Sequence, residues 1–365
     1  MSAMKTTVAL VESPGQPFTL AEVDLEGPRE DEVLVRIVAT GLCHSDLTVR
    51  NMLPAEMFPN VFGHEGAGVV EEVGANVTGI EVGDHVVLSL RSCRTCAQCA
   101  AGYYGHCEQG LFINYMGMRM DGSTTYTRDG QAVFGSFFGQ SSFSQHAIAY
   151  ADNCVVVDKA LDLARLGPYG CGFQTGVGTM LNVANPSADQ SVVVFGVGSV
   201  GLAALAAGRT TGATMVAVDP LASRRELAES YGALTIDPTA LGDVSVVDKV
   251  KELTGGGATY GIDTTAVPAV VKSAQQSLAV RGMLIAIGLG ADEYPIDAVD
   301  LLQNGKVVRS SLEGDADPLE FIPRMLAMAD ELDLDRLVTP YPFDQINQAI
   351  EDSASGKVVK PVLVW

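Results

Sequence analysis

The pattern of hydrophobic and polar residues changes about halfway along the chain. Before residue 90, short β-branched runs such as 33–38 and 66–70 are bounded by glycine or proline, which predicts the strands of a small antiparallel barrel. From about residue 175, apolar runs typical of buried strands alternate with helical patterns. The run 191–195, for example, precedes an alanine- and leucine-rich helix at 202–209. This alternation predicts a doubly wound parallel sheet, so the fold class is α/β with a second, β-rich domain.

The same alternation continues to about residue 312. We expect strands and helices at 215–218, 234–236, 247–253, 260–263, 269–278, 283–288 and 306–312. The tail 321–365 returns to a mixed pattern and should pack back on the first domain. The predicted domains are therefore residues 1–174 together with 309–365, and residues 175–308.

Composition narrows the class of protein. The chain has 365 residues, of which 47% are hydrophobic and 18% charged, as expected for a soluble protein of two domains. No apolar run is long enough to cross a bilayer, and no secretory signal is visible, so we expect a cytoplasmic protein without a membrane partner. The net charge of −21 argues against nucleic acid as a partner.

Four of the seven cysteines lie close together in the sequence. Their spacing, C-x2-C-x2-C-x7-C, brings four thiolates within reach of one tetrahedral metal ion: Cys93, Cys96, Cys99 and Cys107. Because all four ligands are protein atoms, we expect a structural zinc in a lobe over residues 91–108. A [4Fe–4S] cluster is the main alternative occupant, and surface or redox-active thiols are another. Cys154 lies in an apolar run and is expected to be an inert buried thiol.

A second set of candidate ligands is dispersed along the chain. Cys43 and His64 are each followed by a carboxylate residue, Asp46 and Glu65. A thiolate and an imidazole are zinc ligands, and carboxylates can orient them from the outer shell. The alternative is a buried free cysteine and a core histidine. Cys171 has glycine on both sides, which leaves room for a metal, and it is the candidate third ligand.

A glycine-rich turn joins the strand 191–195 to the next helix. Its sequence is G-x-G-x-x-G, with Gly196, Gly198 and Gly201, and Asp219 closes the following strand. Such glycines let the backbone approach a pyrophosphate at a helix N-terminus, and the acid accepts hydrogen bonds from a ribose. The pattern predicts a dinucleotide site that prefers NAD to NADP. Nearby Arg224 and Arg225 leave NADP open.

Together these residues resemble the zinc-dependent alcohol dehydrogenases of the medium-chain dehydrogenase/reductase superfamily. The resemblance covers nearly the whole chain and rests on GLCHSD at 41–46, GHE-x2-G-x5-G-x2-V at 63–77, the four-cysteine lobe, GCGFQTG at 170–176, and GVGSVG with Asp219. It implies a GroES-like catalytic domain and a Rossmann domain that binds NAD. It also implies two zinc ions per chain, a catalytic one on Cys43, His64 and Cys171 and a structural one in the lobe.

The resemblance also implies roles for single residues. Ser45 would bond the reacting oxygen, with Asp46 and Glu65 in the outer shell of the zinc. Thr48 stands near the position where liver-type members have the histidine that ends the proton relay, and a threonine can pass a proton without acting as a base near neutral pH. Residues implied at the cofactor are His44, Gly196, Gly198, Val200, Gly201, Asp219, Arg224 and Lys360. Residues implied in the substrate pocket are Phe112, Phe137 and Phe138.

Two segments narrow the predicted substrate. Residues 312–318 and the CHSDLTVR stretch look similar to the aryl and allylic alcohol dehydrogenases, which predicts oxidation of primary alcohols to aldehydes by hydride transfer to NAD⁺. Alternatives are a thiol-adduct formaldehyde dehydrogenase, a general aliphatic or polyol dehydrogenase, and a catalytically silent NAD-binding structural protein. Relatives are dimers or tetramers, so we expect a homodimer or homotetramer that pairs across a strand near 282–288.

Overall fold

A computed structural model describes residues 3–365. The chain divides into two compact units. The first unit comprises the chain up to Cys171 together with Ala316–Ala327 and Asp335–Trp365, and the second comprises Gly172–Asp315 and Met328–Leu334. The crossings therefore lie at 171/172 and 315/316, whereas the sequence predicts 174/175 and 308/309. The return of 328–334 to the second unit follows no sequence pattern.

The described residues form strands and helices with the following bounds. The strands are β1 (Met4–Val11), β2 (Thr19–Leu25), β3 (Glu32–Gly41), β4 (Asn60–Val61), β5 (Gly66–Val73), β6 (His85–Leu88), β7 (Tyr126–Arg128), β8 (Gln131–Val133), β9 (His146–Tyr150), β10 (Cys154–Val157), β11 (Ser191–Phe195), β12 (Thr214–Val218), β13 (Leu234–Ile236), β14 (Ala258–Asp263), β15 (Leu278–Ala286), β16 (Val307–Ser310), β17 (Val338–Pro342) and β18 (Lys360–Val364). The α-helices are α1 (His44–Met52), α2 (Ala97–Ala100), α3 (Gly110–Tyr115), α4 (Leu163–Leu166), α5 (Gly172–Gly178), α6 (Ser199–Arg209), α7 (Ala222–Ser230), α8 (Val246–Leu253), α9 (Pro268–Gln276), α10 (Ala298–Asn304), α11 (Pro318–Ala327), α12 (Ala329–Leu332) and α13 (Ile346–Ala354).

The first unit contains two sheets that are almost entirely antiparallel. One has the strand order β4-β1-β2-β7-β8, and the other has the order β10-β6-β5-β3-β18-β17 with β9 also paired to β3. Their alternating apolar residues point inward, as expected for strands with one solvated face. The predicted antiparallel β-rich domain is therefore confirmed.

The central strand β3 determines where the candidate ligands lie. It pairs with β5 on one side and, at its C-terminal end, with β18, where Val362 lies opposite Gly41. Cys43 follows the end of β3, and His64 and Glu65 immediately precede β5. The same pairing places Lys360, at the start of β18, beside this end of β3. The last two strands, β17 and β18, thus belong to a sheet of the first unit.

The second unit is a six-stranded parallel sheet with the order β13-β12-β11-β14-β15-β16. Each strand connects to the next through a helix, and β11 is completely buried because its run of apolar residues is covered on both faces. The strand order reverses between β11 and β14, which is where parallel sheets of this kind bind nucleotides. The predicted doubly wound sheet is confirmed.

The predicted pairing strand of an oligomer is wrong. Residues 282–288 overlap β15, which is hydrogen-bonded to β14 on one side and to β16 on the other. It therefore has no free edge, and the strands at the two edges of the sheet are β13 and β16. In residues 3–365 no helix is both long and apolar enough to span a bilayer.

Candidate active site

Asp46 organises the segment that carries the first candidate ligand. Cys43 precedes α1, and Asp46, in the first turn of that helix, accepts a hydrogen bond from the Cys43 backbone N–H through Oδ2 at 3.1 Å. The other carboxylate oxygen, Oδ1, accepts from the Gly63 N–H at 3.1 Å and lies 2.8 Å from His64 Nδ1. One buried carboxylate thus joins the two ligand segments.

His64 is prepared to bind a metal through one ring nitrogen. Its side chain is fully buried, and Nδ1 donates to Asp46, which leaves a lone pair on Nε2. Among the described residues, His64 Nε2 has no hydrogen-bond partner. Ligand atoms of Cys43, His64, Glu65 and Cys171 all lie within 4.8 Å of one another. Two thiols and a free imidazole nitrogen are the donor set that zinc takes, so these residues fit the ion. We call these four residues the Cys43 cluster.

Electrostatics favour thiolate in the Cys43 cluster. A hydrogen bond with Cys171, together with the positive charges of Lys360 and His64, outweighs burial and lowers the pKa of Cys43 well below its ordinary value. Burial opposes a charge on His64, but the Asp46 carboxylate and the Cys43 sulfur raise the pKa of the imidazole, so a metal that binds Nε2 would displace a proton from that nitrogen. A thiolate is the form of cysteine that binds a metal.

Lys360 contacts the Cys43 cluster. Its Nζ is buried, donates to Glu65 Oε1 at 2.6 Å and to the Leu42 carbonyl oxygen at 3.1 Å. Burial opposes the charge, but the Glu65 carboxylate more than compensates and raises the pKa of Lys360. The implied contact of Lys360 with a cofactor stays a prediction. Sequence reasoning missed this ion pair, and the only signal for it was a charged residue at the start of an apolar strand.

The remaining implied residues of this segment lie on α1. Ser45 and Thr48 are half-buried and are three residues apart, which places them on one face of the helix. His44 is exposed in the first turn. Their roles stay predictions.

The four-cysteine lobe forms a second ligand cluster. The sulfurs of Cys93, Cys96, Cys99 and Cys107 all lie within 4.8 Å of one another. Backbone N–H groups donate to them: Cys96 to Cys93 Sγ at 3.3 Å, Cys99 to Cys96 Sγ at 3.4 Å, and Cys93 to Cys107 Sγ at 3.3 Å. Such bonds stabilise thiolates. Burial opposes a thiolate at Cys93, but hydrogen bonds from Thr95 and from the Cys96 N–H outweigh it and lower the pKa of Cys93 to about 6, whereas burial raises the pKa of Cys99 and Cys107. The four sulfurs therefore fit one tetrahedral ion. Cys154 is buried, and burial raises its pKa, as expected for an inert thiol.

Arg94 connects the lobe to the start of α11. It lies between two of the cysteines in a left-handed conformation (φ 60°), and its guanidinium forms two hydrogen bonds with the Asp317 carboxylate at 2.6 and 2.8 Å. The same guanidinium lies 4.4 Å from the centre of the Tyr104 ring. A bidentate arginine–carboxylate pair of this kind is a strong polar contact.

Two of the three implied pocket phenylalanines lie against His64. The ring centres of Phe137 and Phe138 are 5.3 and 4.5 Å from that of His64. Phe112 packs with the apolar residues of the four-cysteine lobe, and its place in the substrate pocket stays a prediction. The ring that joins the pair is Tyr115, at 5.9 and 5.3 Å. We call Tyr115, Phe137 and Phe138 the aromatic wall.

The glycine-rich turn lies in the second unit at the C-terminal end of β11. Gly196 has a φ of 80°, and a side chain there would collide with Thr264, whereas Gly198 has nothing within 4 Å of where its Cβ would be. Val200 and Gly201 follow in the first turn of α6. An open glycine before a helix N-terminus allows close approach of a phosphate.

Asp219 ends β12 beside this turn. Its Oδ2 accepts from the Val197 N–H and its Oδ1 from the Leu221 N–H, each at 2.9 Å. It also borders a cavity of about 400 Å³ whose other walls are largely apolar, with Gly196, Leu221, Pro238, Val246, Thr265 and Val270 among the lining residues. A cavity of this chemistry suits a planar base with an attached ribose.

The two arginines near Asp219 differ in exposure and partners. Arg225 donates to the Asp219 carbonyl oxygen and forms an ion pair with Asp237, both at 2.8 Å. Arg224 is buried, and burial lowers its pKa. Arg225 is thus already engaged, and the contact of Arg224 with a cofactor stays a prediction.

Comparison with known proteins agrees with this geometry. A family model described as an alcohol dehydrogenase GroES-like domain matches residues 29–159, and one described as a zinc-binding dehydrogenase matches residues 199–331. Geraniol dehydrogenase from Castellaniella defragrans is 44% identical over 98% of this chain and 97% of its own length.

Two solved structures share the fold over essentially the whole chain. An alcohol dehydrogenase zinc-binding domain protein from Burkholderia ambifaria has a TM-score of 0.93 and 42% identity, covering 100% of this chain and 99% of that one. Benzyl alcohol dehydrogenase from Acinetobacter calcoaceticus has a TM-score of 0.94 and 36% identity, covering 99% of both chains. The predicted fold class and family are confirmed. With two family models and full-length relatives in agreement, this chain belongs to the zinc-dependent alcohol dehydrogenases of the medium-chain dehydrogenase/reductase superfamily.

Proposed function

We propose that this enzyme oxidises primary aromatic or allylic alcohols to aldehydes, with a zinc ion in the Cys43 cluster and NAD⁺ as the hydride acceptor. The observation that carries the proposal is His64 Nε2, a buried nitrogen without a hydrogen-bond partner beside two thiols. A buried polar atom of this kind is unfavourable unless a ligand binds it. The names of the geraniol and benzyl alcohol dehydrogenases support the substrate class.

Cys43, His64 and Cys171 would hold the zinc. Bound zinc supplies Lewis acidity, which lowers the pKa of an alcohol hydroxyl toward neutrality. Three protein ligands leave a position open, which distinguishes a catalytic site from a structural one. Asp46 keeps His64 Nε2 free by accepting the Nδ1 proton. Lys360 holds one oxygen of the Glu65 carboxylate at 2.6 Å.

The hydroxyls of α1 provide a path for the proton. Ser45 Oγ would accept the proton of the substrate hydroxyl as it donates its own proton to Thr48 Oγ1, three residues farther along the helix. Thr48 would in turn donate its proton to solvent water. Neither oxygen is a base near neutral pH, so both act only as carriers. This relay differs from that of the liver-type members by the absence of a terminal imidazole at Thr48.

Asp219 and the cavity beside it would select the cofactor. Bound NAD⁺ supplies the carbon that accepts a hydride from the substrate. Asp219 provides two acceptor oxygens for ribose hydroxyls and repels a 2′-phosphate. The apolar walls of the 400 Å³ cavity suit the adenine ring.

The aromatic wall supports an aryl or allylic substrate. Phe137 and Phe138 are buried and lie within about 5 Å of the His64 ring, so a planar unsaturated substrate at the metal would meet apolar ring surface.

We further propose a second, structural zinc in the four-cysteine lobe and a homo-oligomer. Four thiolates leave no open position, so the ion there stabilises the fold. The edge strand β16 exposes Val307 at 44% and Val308 at 38%, and the preceding helix α10 exposes Val299 at 63% and Leu302 at 82%. A free strand edge with exposed apolar residues is typical of an interface. Two copies paired along β16 would form a homodimer, and two such dimers a homotetramer.

A substrate panel tests the proposal. The purified chain is assayed for nicotinamide reduction with benzyl alcohol, geraniol and hexan-1-ol, each with NAD⁺ and NADP⁺. We expect kcat/KM for the first two alcohols to exceed that for hexan-1-ol by about tenfold, as one differential pocket contact allows, and NAD⁺ to be preferred. Asp219→Ser should reduce that preference. Absence of turnover with every alcohol, in protein that contains zinc, would refute the proposal.

A further inference from the structure

The loop that carries the aromatic wall has an unusual backbone. Ser136, Phe138, Gly139 and Ser141 all have positive φ, at 56°, 51°, 65° and 52°. Only glycine adopts this conformation freely, and for a bulky residue such as Phe138 it is a costly outlier. Three non-glycine residues in this conformation within six positions indicate that surrounding contacts hold the loop in place.

Two buried side chains, Ser141 in the loop and Asn153 beyond it, form hydrogen bonds with the backbone of the loop. Ser141 Oγ accepts from the Phe137 N–H at 2.9 Å and donates to the Val61 carbonyl oxygen at 2.6 Å. Asn153 Nδ2 donates to the carbonyl oxygens of Phe138 and Gly139 at 3.0 and 3.3 Å. These bonds explain how the loop keeps its shape.

Gln140 attaches the loop to the metal-ligand segment. Its side chain is buried, Oε1 accepts from the Gly66 N–H at 3.0 Å, and Nε2 donates to the His64 carbonyl oxygen, also at 3.0 Å. The amide therefore pairs with the backbone on both sides of Glu65 in the way a neighbouring strand would. A glutamine offers one donor and one acceptor at this spacing, which no apolar residue of the same length provides.

The aromatic rings of the loop contact the side chain of the same histidine, His64. Phe138, next but one to Gln140, lies 4.5 Å from the His64 ring, and Phe137 meets that ring edge-on at 5.3 Å. His64 is thus held at its main chain by Gln140 and at its ring by the phenylalanines. Asp46 holds the remaining side, at Nδ1.

We propose that Gln140 is a positioning residue that fixes the ligand His64 and the aromatic wall as one rigid unit. This inference rests on the proposed function, because it assigns a consequence to the metal held by His64. Gln140 does not touch substrate or metal. It acts by fixing the main chain from which the imidazole projects, and a ligand that can move binds its metal less tightly.

The test compares two buried glutamines. Gln140→Met removes both amide bonds at similar volume. The matched control is Gln275→Met in the second unit. The Gln275 amide also bonds the backbone through both of its ends: it accepts from the Asp297 N–H and donates to the Asp297 carbonyl oxygen, both at 2.8 Å. Both variants lose a buried backbone clamp, but only Gln140 is bonded to a ligand segment.

Three measurements are made on zinc-loaded and cobalt-substituted protein. We expect Gln140→Met to release the metal of the Cys43 cluster to a chelator about tenfold faster than the parent protein. We expect its cobalt visible absorption bands to shift and its KM for benzyl alcohol to rise more than its kcat falls. Gln275→Met should match the parent protein in all three. Gln140→Glu retains the acceptor for the Gly66 N–H but loses the donor to the His64 carbonyl oxygen, so its three measurements should lie between those of Gln140→Met and the parent protein. It replaces Gln140→Met if the methionine variant does not fold.

The outcomes separate this inference from the proposed function. Both the proposed function and the positioning role are supported if the parent protein binds cobalt and oxidises alcohols, and if the cobalt absorption bands shift in the Gln140 variants but not in Gln275→Met. Unshifted bands and unchanged metal release in the Gln140 variants overturn the positioning role while the proposed function stands. Parent protein that binds no metal in the Cys43 cluster overturns the proposed function and the positioning role with it.

Discussion

The four-cysteine lobe and the Cys43 cluster both use soft sulfur ligands. The ligands of the lobe are close together in the sequence, whereas those of the Cys43 cluster are far apart. The lobe takes all its ligands from residues 93 to 107, and peptide N–H groups of the same segment bond its sulfurs. The Cys43 cluster takes ligands from residues 43, 64 and 171, and its supporting groups are side chains, Asp46 and Lys360. The first cluster is a local structure, and the second exists only once the first unit has folded.

The difference teaches where each cluster can be tuned. In the lobe the supporting groups are mainly backbone N–H groups, which most substitutions retain, although Thr95 Oγ1 also donates to Cys93 Sγ at 3.6 Å. A metal held there would depend mainly on the four cysteines. In the Cys43 cluster the supporting groups are charged side chains, each of which a single substitution can change. A structural site is thus robust, and a catalytic site is adjustable.

The largest effect is expected from Cys43→Ala. Loss of this ligand should remove the metal of the Cys43 cluster and lower kcat/KM for benzyl alcohol by at least about 10³-fold, since a metal contributes several kcal/mol to such a reaction. The zinc content measured by metal analysis should fall from two ions per chain to one, which is held by the lobe. Cys154→Ala is the control, because Cys154 is a buried thiol outside both clusters. Unchanged turnover in Cys43→Ala would contradict the assignment of a catalytic zinc to the Cys43 cluster.

Cys107→Ser should have the opposite profile. Loss of a lobe ligand should lower the Tm by roughly 10 °C, equivalent to about 4 kcal/mol of metal-linked folding free energy. The cobalt bands of the Cys43 cluster should persist at temperatures where the protein stays folded. Calorimetry with parallel metal analysis makes the comparison. A variant with full Tm and one zinc fewer would show that the lobe metal does not stabilise the fold.

Asp46→Asn tests the tuning of the catalytic cluster. The amide keeps the size of the carboxylate but loses the charge that orients His64, so zinc affinity at this cluster should fall about 10- to 100-fold. Competition with a chelator measures the affinity, and the zinc of the lobe serves as an internal reference. Asp24→Asn, in an exposed pair with Lys5, is the control. Equal affinities in Asp46→Asn and the parent protein would contradict the role of Asp46.

Asp317→Asn should have the smallest effect. It breaks the partly buried pair with Arg94, where a charge-assisted bond contributes roughly 1–2 kcal/mol to stability. Urea unfolding measures the difference. Glu12→Gln, in the more exposed pair with Arg128, should change stability by about 0.5 kcal/mol or less. Both variants should retain two zinc ions, because neither pair supplies a ligand. Loss of the lobe zinc in Asp317→Asn would show that the lobe is not self-sufficient.

The contrast between the clusters also explains what the sequence could predict. The lobe follows from spacing alone, since short loops restrict where four sulfurs can go. The parallel sheet follows from its alternating apolar runs. Cys171 was only a candidate from its glycine neighbours, and its place beside Cys43 and His64 depends on the path of the chain through the first unit.

Contacts between distant residues could not be predicted in this way. No local pattern indicates that Lys360 pairs with Glu65, or that the amide of Gln140 bonds to the backbone around it. Tyr115, and not Phe112, joins Phe137 because the fold decides which ring of α3 faces the loop. The strand β16 was predicted within 306–312, but its position at an edge of the sheet was not, because apolar content does not give the order of strands in a sheet.

The hydrogen bonds of Asp219 have a consequence for how cofactor choice can evolve. Both of its oxygens accept backbone N–H groups, one from the glycine-rich turn at Val197 and one from Leu221. A substitution that admits a 2′-phosphate therefore also leaves two N–H groups to be satisfied, at a cost of about 1–3 kcal/mol for each that stays buried and unpaired. A change of coenzyme preference in this protein is thus coupled to its stability. A second substitution near Val197 or Leu221 that supplies a new acceptor would offset this loss of stability.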